Sequence, residues 1–365
     1  MQKKGISLIV LVITIIVMII LAAAIIISLN NTGIIGNANK AVDETNEKTI
    51  VELANLAWGE AYANSRATGK LASANYFQKS VEDALAQNDV DLSQYEVIAG
   101  EDGVQVFKKN DWEYAYTATN DAWNDTKLEK AKGDTIPEDA KIVVRFYKTN
   151  KKVGLDWCPD VMGSSLTCEE KQKELVGNEY YMVMDGIGKI PDLCESIIIP
   201  NEAADYPIYG YMNNNTPALF RGSMSKRAWK DIRRKFVEVS AVPYVTHAKI
   251  SDRITSIGKA TFYRFHNLTN VILPESLTQL GTDNRELVFE VTKLNNLIIP
   301  KNVTNMPTNF YSGINNLYVE TTSLTEIGDY KYFKGTIYVR NDAMKELFES
   351  KIDSSKAKVS TNYNW

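Results

Sequence analysis

The sequence predicts an α+β protein with a long N-terminal apolar helix, a small α+β region and a C-terminal solenoid of short repeated strands. Three observations predict this fold class: an uncharged apolar run at Ile6–Leu29, a helical apolar stripe that begins near Ile50, and short apolar motifs that recur in the C-terminal half. The predicted segments are a basic leader at 1–5, a transmembrane helix at 6–29, a stem and small α+β domain at 30–150, a linking β region at 151–190, a repeat domain at 191–340 and a C-terminal cap at 341–365.

The length and charge of the chain narrow the classes of function. With 365 residues, two compact parts plus an anchor are expected. The 41 basic and 45 acidic residues give a net charge of -4, which argues against bulk binding of nucleic acid. The 19 tyrosines and only 2 histidines are typical of extracellular adhesive proteins.

The apolar run Ile6–Leu29 predicts a single membrane-spanning helix. Its 24 residues make a helix of about 36 Å, longer than a hydrocarbon core of about 30 Å. Lys3 and Lys4 precede it, so the positive-inside rule places the N-terminus in the cytoplasm and the bulk of the chain outside the cell. The expected location is therefore the cell membrane, with an extracellular C-terminal part.

Three interpretations of this segment compete. A cleaved secretory signal peptide has a shorter apolar core and a small-residue cleavage site beyond it, whereas Ala22–Ala24 lies inside the run. An uncleaved signal anchor is the second interpretation. The third comes from residues 3–13, Lys-Lys-Gly-Ile-Ser-Leu-Ile-Val-Leu-Val-Ile, which resemble the leader of type IV prepilins and pseudopilins, especially the Gram-positive clostridial type.

The prepilin resemblance implies a processing event and a set of partners. A prepilin peptidase would cut on the cytoplasmic face between Gly5 and Ile6, and Ile6 would then be methylated. The apolar helix would be kept, first as an anchor and then packed against other pilin subunits in a possible surface filament. Val10 stands at the fifth mature position, where the family usually has Glu, which argues against a major pilin and leaves a minor, tip-located or non-polymerising member.

A helical stem is predicted after the apolar run. Gly33 and Gly36 predict a break where the helix leaves the membrane, and helical periodicity resumes near Ala38. The pattern ends near Thr68–Gly69. Spacings of three and four then place these apolar residues on one helix face: Ile50, Leu53, Ala54, Ala57, Trp58 and Ala61.

A second helix and several strands are predicted next. The helix runs through Phe77, Val81, Ala84 and Leu85, with Ser73 as a candidate N-cap. The predicted strands are Tyr95–Ala99 and Val104–Phe107, which the turn Gly100–Gly103 joins as a hairpin, then Trp112–Thr119 and Lys141–Tyr147. A long helix followed by a small sheet is the architecture that the prepilin resemblance implies.

The C-terminal half contains an internal repeat. Asn267–Pro274 (Asn-Leu-Thr-Asn-Val-Ile-Leu-Pro) is echoed by Asn295–Pro300 and Asn315–Val319, and each copy is followed by a second apolar pattern. Ile254–Phe262 is interpreted as the preceding half-unit, and Ser196–Pro200 as a degenerate first copy. Units of about 20 to 27 residues predict a solenoid in which each repeat buries its thin core against its neighbours.

This repeat resembles the BspA-like surface leucine-rich repeats of host-associated bacteria. The resemblance implies a solenoid that binds an extracellular protein or a cell-wall ligand through exposed aromatic and polar residues. Ile337–Asn341 and the helical Ala343–Ser350 look like the closing strand and helix of that family. The alternative is an unrelated irregular β domain.

The cysteines and motifs do not predict an enzyme. Cys158 and Cys168 enclose a nine-residue loop and could form a disulfide outside the cell, which would leave Cys194 free or buried. No metal site is expected, since the chain has no C-x-x-C motif and only two histidines. The sequence also lacks the H-E-x-x-H, G-x-S-x-G, phosphate-loop and dinucleotide motifs, so no catalytic residue and no cofactor are predicted.

A basic amphipathic helix is predicted within residues 226–236. Its apolar side suggests a solvated helix docked on the protein, and its basic face suggests an anion-binding patch for wall polymers, phospholipid heads or DNA. At 100° per residue, the basic side chains occupy an arc of about 120°: Lys226, Arg227, Lys230, Arg233 and Arg234.

The function expected from these observations is adhesion or ligand binding by a membrane-anchored, pilin-like surface protein that displays leucine-rich repeats. One alternative is a minor pilin or pseudopilin that serves as a structural component of a type IV pilus or a type II secretion-like machine. The other is a minor pilin for DNA uptake, for which the basic helix is the only support.

Overall fold

The computed structural model divides the chain into two units, residues 1–53 and residues 54–365. No helix in the part of the chain that the structure describes is long and apolar enough to cross a membrane, and the predicted span Ile6–Leu29 lies outside that part. The described residues are 34–69, 74–112, 114–119, 127–129, 140–149, 179–189, 197–200, 207–210, 245–258, 261–262, 265, 267–281, 288–289, 292–307 and 313–363.

The first described element is the stem helix α1, Ile34–Thr68. The predicted restart at Ala38 is wrong, because Gly36 lies inside one continuous helix. A single glycine costs a helix only about 1 kcal/mol relative to alanine, so it does not by itself end a helix. Gly69 follows the last turn with φ +62°, the left-handed conformation that ends a helix, as the sequence predicts.

The second helix and the hairpin lie where they were predicted. Helix α2, Ala74–Gln87, buries Phe77 completely, while its candidate N-cap Ser73 lies outside the described residues. Strands β1, Tyr95–Gly100, and β2, Gly103–Lys108, pair antiparallel. Gly103, with φ +146°, makes the turn in a conformation that favours glycine.

A six-stranded sheet joins the two halves of unit 54–365. The strands between residues 114 and 186 pair antiparallel, whereas Glu179–Gly186 pairs parallel with Val245–Ile250, which in turn pairs parallel with Asn270–Ile272. The sheet therefore runs across the boundaries at 150 and 190 that the sequence suggested. Its order is β4 (Lys127–Glu129), β3 (Tyr114–Thr119), β5 (Ala140–Thr149), β6 (Glu179–Gly186), β10 (Val245–Ile250) and β12 (Asn270–Ile272).

Two all-parallel sheets complete the C-terminal solenoid, which confirms the predicted stacked repeats. One contains β7 (Gly188–Lys189), β11 (Ile254–Ile257), β13 (Gln279–Leu280), β15 (Asn305–Met306) and β17 (Glu326–Ile327). The other contains β14 (Asn296–Ile299), β16 (Asn316–Val319), β18 (Gly335–Val339) and β19 (Ala357–Ser360). From β10 to β17, each repeat contributes one longer and one shorter strand, so the two kinds of strand line opposite sides of a single core.

The core of the solenoid repeats with the strands. Leu297, Leu317 and Ile337 occupy the same register position in three neighbouring strands, and all are at most 2% exposed. Phe262 and Phe289 stack between repeats with ring centroids 5.2 Å apart. Since each unit buries its apolar side chains against the next one, no repeat has an independent core.

The predicted first repeat copy at Ser196–Pro200 is wrong. Strand β8, Ile197–Pro200, pairs antiparallel with β9, Pro207–Gly210, in a separate two-stranded sheet. The strands of the repeats pair parallel instead. A short apolar run that ends in proline is compatible with either arrangement, so the sequence motif alone does not distinguish a repeat strand from an antiparallel one.

The end of the solenoid also differs from the prediction. Strand β18 and helix α3, Asp342–Glu349, occupy the predicted closing segment, and Asn341 caps the helix by accepting a hydrogen bond from the Met344 N–H at 2.9 Å. Beyond the helix, β19 pairs parallel with β18. The helix is therefore a crossover between two strands rather than the end of the solenoid.

Candidate functional site

The outward side chains of the longer repeat strands form the surface on which a candidate site can be built. In each strand the residues that alternate with the core residues point away from it. We call the outward side of β10, β12, β14, β16, β18 and β19 the strand face. The pairing register aligns one outward row from Asn296 through Asn316 to Thr336, and another from Ile298 through Tyr318 to Tyr338.

The N-terminal part of the strand face is covered by the β1–β2 hairpin and α2. Lys249 of β10 forms salt bridges with Glu82 at 2.9 Å and with Glu96 at 3.0 Å. The indole N–H of Trp58 donates to the Gly100 carbonyl at 2.9 Å. A Cβ at Gly100 would lie 2.6 Å from the Asn270 side chain, so the close approach of the turn requires glycine.

A second apolar cluster lies beneath this cover. Ile98 of the hairpin, Tyr147 and Tyr181 of the six-stranded sheet and Ile272 of β12 are packed together, away from the solenoid core. The rings of Phe107 and Tyr147 stack with centroids 5.0 Å apart. The hairpin is therefore held by apolar burial as well as by polar contacts, and β10 and β12 are not free to bind a ligand.

His247 joins the hairpin turn to the sheet through a buried polar network. Its Nε2 lies 2.7 Å from Asp102 Oδ1, and its Nδ1 lies 2.8 Å from the Thr246 hydroxyl, which also contacts the Glu179 carboxylate. With 1% exposure, His247 positions the turn and is not accessible to a substrate.

An asparagine ladder begins where the cover ends. The Asn316 amide donates to Asn296 Oδ1 at 2.9 Å, and the Asn296 amide donates to Glu101 Oε1 at 2.6 Å. Asn315 donates to Asn295 in the same way at 2.8 Å. Because the ladder runs from strand to strand, it forms a continuous polar surface from the hairpin turn to β16.

Three tyrosines lie beside this ladder. The rings of Tyr318 and Tyr338 stack with centroids 4.7 Å apart and an interplanar angle of 9°. Tyr363, beyond β19, meets these two rings at 5.0 and 5.2 Å. Burial, together with the neighbouring Tyr338, raises the pKa of Tyr363 to about 12, so its hydroxyl stays protonated at neutral pH.

Glu101 stands where the hairpin turn, the asparagine ladder and the tyrosines meet. Burial raises the pKa of its carboxyl above the ordinary 4.5, the Asn296 hydrogen bond lowers it, and the charge of Asp102 raises it further. Glu101 also contributes to the raised pKa of Tyr318, whose largest cause is burial. The arrangement presents a partly desolvated carboxylate, amides and aromatic rings on one surface, a combination suited to binding.

The residues that the sequence predicted as sites lie outside the described part of the chain. These are Gly5 and Ile6 of the leader, Cys158 and Cys168 of the candidate disulfide, and Lys226, Arg227, Lys230, Arg233 and Arg234 of the basic helix. Within the described residues, no group of three or more His, Cys, Asp and Glu side chains could hold a metal ion. The cleavage site, the disulfide and the basic patch therefore stay predictions from the sequence.

Only part of the strand face could be predicted from the sequence. The repeated Asn295-Asn296 and Asn315-Asn316 pairs mark equivalent positions in the repeats, and this was the signal from which the ladder could have been predicted. Glu101 carries no such signal, because it belongs to a turn 195 residues before its partner Asn296.

Comparison with known proteins identifies the repeats. Residues 241–347 match the BspA type Leucine rich repeat region in six copies. The match runs from β10 through β18 into α3, so it contains most of the strand face. No curated protein and no solved structure matches the chain.

Proposed function

We propose that the chain is a cell-surface protein whose leucine-rich repeats bind an extracellular ligand through the part of the strand face from β14 to β19. BspA-like repeats suggest a surface domain for adhesion or ligand binding. The observation that supports the proposal is a difference in exposure along the strand face. The hairpin covers β10 and β12, whereas Ile298, Asn316 and Tyr338 remain partly exposed.

The chemistry of this surface supports binding. Tyrosine is enriched in protein interfaces because its ring supplies contact area and its hydroxyl supplies a hydrogen bond. The strands and the stacked rings hold Asn316 and Tyr338 in defined positions, so little conformational entropy is lost when a ligand binds.

Substitution of Tyr338 tests the proposed surface. Cells that display the full chain should adhere to immobilised extracellular-matrix protein or to purified cell wall, and Tyr338→Ser should reduce adhesion about tenfold, because it removes an aromatic anchor. Tyr332, 65% exposed and outside the strand face, provides the matched control, and Tyr332→Ser should adhere like the wild type. Equal adhesion of both variants, or no adhesion of the wild type to either surface, would contradict the proposal.

We further propose that the N-terminal segment anchors the chain as a prepilin-like helix. The support is the resemblance of Lys3–Ile13 to prepilin leaders. The long helix α1 ahead of a sheet is compatible with that layout. In this proposal the partners are the membrane, a prepilin peptidase and other pilin subunits, and assembly into a pilus or secretion-like machine is the second candidate function.

Mass spectrometry of the mature N-terminus tests the anchoring proposal. We expect a chain that begins with methylated Ile6. Replacing Gly5 with valine should leave Met1 in place, because the resemblance implies cleavage after Gly5. An intact Met1 in the wild-type protein would instead identify an ordinary signal anchor and refute the prepilin proposal.

A further inference from the structure

We infer that the strand face receives a basic side chain of a partner protein, an arginine or a lysine, with Glu101 as its ionic partner. This inference rests on the proposed ligand-binding function and names the chemistry of the ligand. It follows from the charge of Glu101, from the lack of a salt bridge between Glu101 and any described residue, and from the tyrosines beside it.

Glu101 differs from Glu96 and Glu320, two other acidic side chains near the strands. Glu96 is paired with Lys249, and Glu320 at the end of β16 lies 3.6 Å from Arg340. Glu101, in contrast, forms no salt bridge with any residue of the described part of the chain, and its contact is the amide of Asn296. A partly buried carboxylate with one neutral hydrogen-bond donor leaves acceptor sites on its oxygens unused.

The surroundings of Glu101 make this charge costly in the free protein. Burial and the neighbouring Asp102 both raise the pKa of the carboxyl, and Arg66 offsets them only through its charge. Arg66 is itself engaged with Tyr62, since its guanidinium donates to the Tyr62 hydroxyl at 3.1 Å. A cation supplied by a ligand would compensate this carboxylate, which forms no ion pair with the residues that the structure describes.

The tyrosines favour a basic side chain over a simple ion. The aliphatic stem of arginine or lysine packs on apolar and aromatic surface while its charged end reaches a carboxylate. Ile298 and Tyr338 lie on the same surface two strands apart, and Tyr318, which stacks on Tyr338, lies on the strand between them. Arginine suits this surface especially well, because its planar guanidinium both pairs with carboxylates and stacks on aromatic rings.

A purely structural role for the carboxylate predicts a different response to substitution. Glu101→Gln keeps an acceptor for the Asn296 amide but removes the charge. Since the pKa of Glu101 is raised in the folded state, the charged carboxyl destabilises the fold as pH rises above about 4.5, and the glutamine variant avoids this loss. Glu101→Gln should therefore melt at or above the wild-type temperature at neutral pH while its binding is weakened.

A pair of matched peptides tests the inference with the full chain in detergent. One peptide carries a single arginine flanked by glycine and serine, and the other replaces that arginine with citrulline, which has a similar shape but no charge. We expect the wild type to bind the arginine peptide about tenfold more tightly than the citrulline peptide. Glu101→Gln should lose this preference, whereas Glu346→Gln, on the exposed side of α3, should keep it.

The outcomes separate the inference from the proposed function. The basic ligand is refuted if the wild type and Glu101→Gln show the same preference for the arginine peptide. It is also refuted if the wild type shows no such preference while Tyr338→Ser still weakens peptide or matrix binding. In that second case the proposed binding surface stands. If neither Glu101→Gln nor Tyr338→Ser affects any binding, both are refuted. A melting temperature of Glu101→Gln below that of the wild type would mark the carboxylate as structural and also overturn the inference.

Discussion

Replacing Gly335 with alanine is expected to destabilise the repeat domain by about 4 kcal/mol. Gly335 begins β18 with φ +127°, a backbone conformation that residues with a Cβ rarely adopt. An added Cβ would lie 2.0 Å from the Asn315 carbonyl oxygen. That same carbonyl accepts the Thr336 N–H at 2.9 Å, so relief of the clash must disturb the pairing of β16 with β18.

Urea denaturation of the full chain, followed by tyrosine fluorescence, measures this effect. Gly59→Ala is the matched control, because Gly59 lies on the exposed side of α1 and a Cβ there meets no atom within 4 Å. Alanine is the better helix former, so the control should gain up to about 1 kcal/mol. If Gly335→Ala unfolds at the wild-type urea concentration, the geometry given for the start of β18 is wrong.

Replacing Lys249 with methionine is expected to cost about 3 kcal/mol and to loosen the hairpin cover. The Lys249 ammonium lies within 3.0 Å of both Glu82 and Glu96, and the Glu96 side chain is only 8% exposed. Although burial lowers the pKa of Lys249, these two carboxylates raise it above the ordinary 10.5. Without the ammonium, two neighbouring carboxylates would face each other with no cation between them.

The raised pKa of Lys249 also predicts how the stability of the fold changes with pH. Because the folded pKa of Lys249 is raised, its stabilising contribution is present below pH 10.5 and is lost as pH rises through the folded pKa. Lys249→Met should therefore be less stable than the wild type at neutral pH, and the difference should shrink as pH rises through the folded pKa of Lys249. Adding Glu96→Gln to Lys249→Met should restore part of the loss.

Lys345→Met provides the control for the loss of a lysine. Lys345 lies on α3 and pairs with Glu349 at 3.9 Å in an exposed i,i+4 arrangement, so its replacement should change stability by well under about 1 kcal/mol. Equal effects of Lys345→Met and Lys249→Met would show that the ion pairs beneath the hairpin do not stabilise its docking.

Local patterns in the sequence were enough to predict the elements whose signal lies in neighbouring residues. The spacing of Ala54, Ala57 and Ala61 marked the buried side of α1, and Gly100–Gly103 marked the hairpin turn. The recurring Asn-Leu motifs marked the parallel strands that also match the BspA type repeats. In each case the period of apolar residues or the turn residues determine the local structure directly.

The same reasoning missed features that depend on which distant segments meet. The apolar run Ile197–Pro200 reads like a repeat strand, yet its partner is the antiparallel Pro207–Gly210. Strand β19 is only four residues long and alternates weakly, so it was not distinguished from the cap. Pairing partners are chosen by the energy of the whole sheet, which a short segment does not encode.

The sequence by itself therefore determined the stem helix, the hairpin and the stacked repeats, because each arises from apolar periodicity or turn chemistry over a few residues. Only the tertiary structure decided that the hairpin turn docks on the repeats, where Asp102 meets His247 across 145 residues of chain. The same docking places Glu101 beside Asn296 and Tyr318. Whether its carboxylate is solvated or partly buried depends on that long-range contact, and so does the binding chemistry of the strand face.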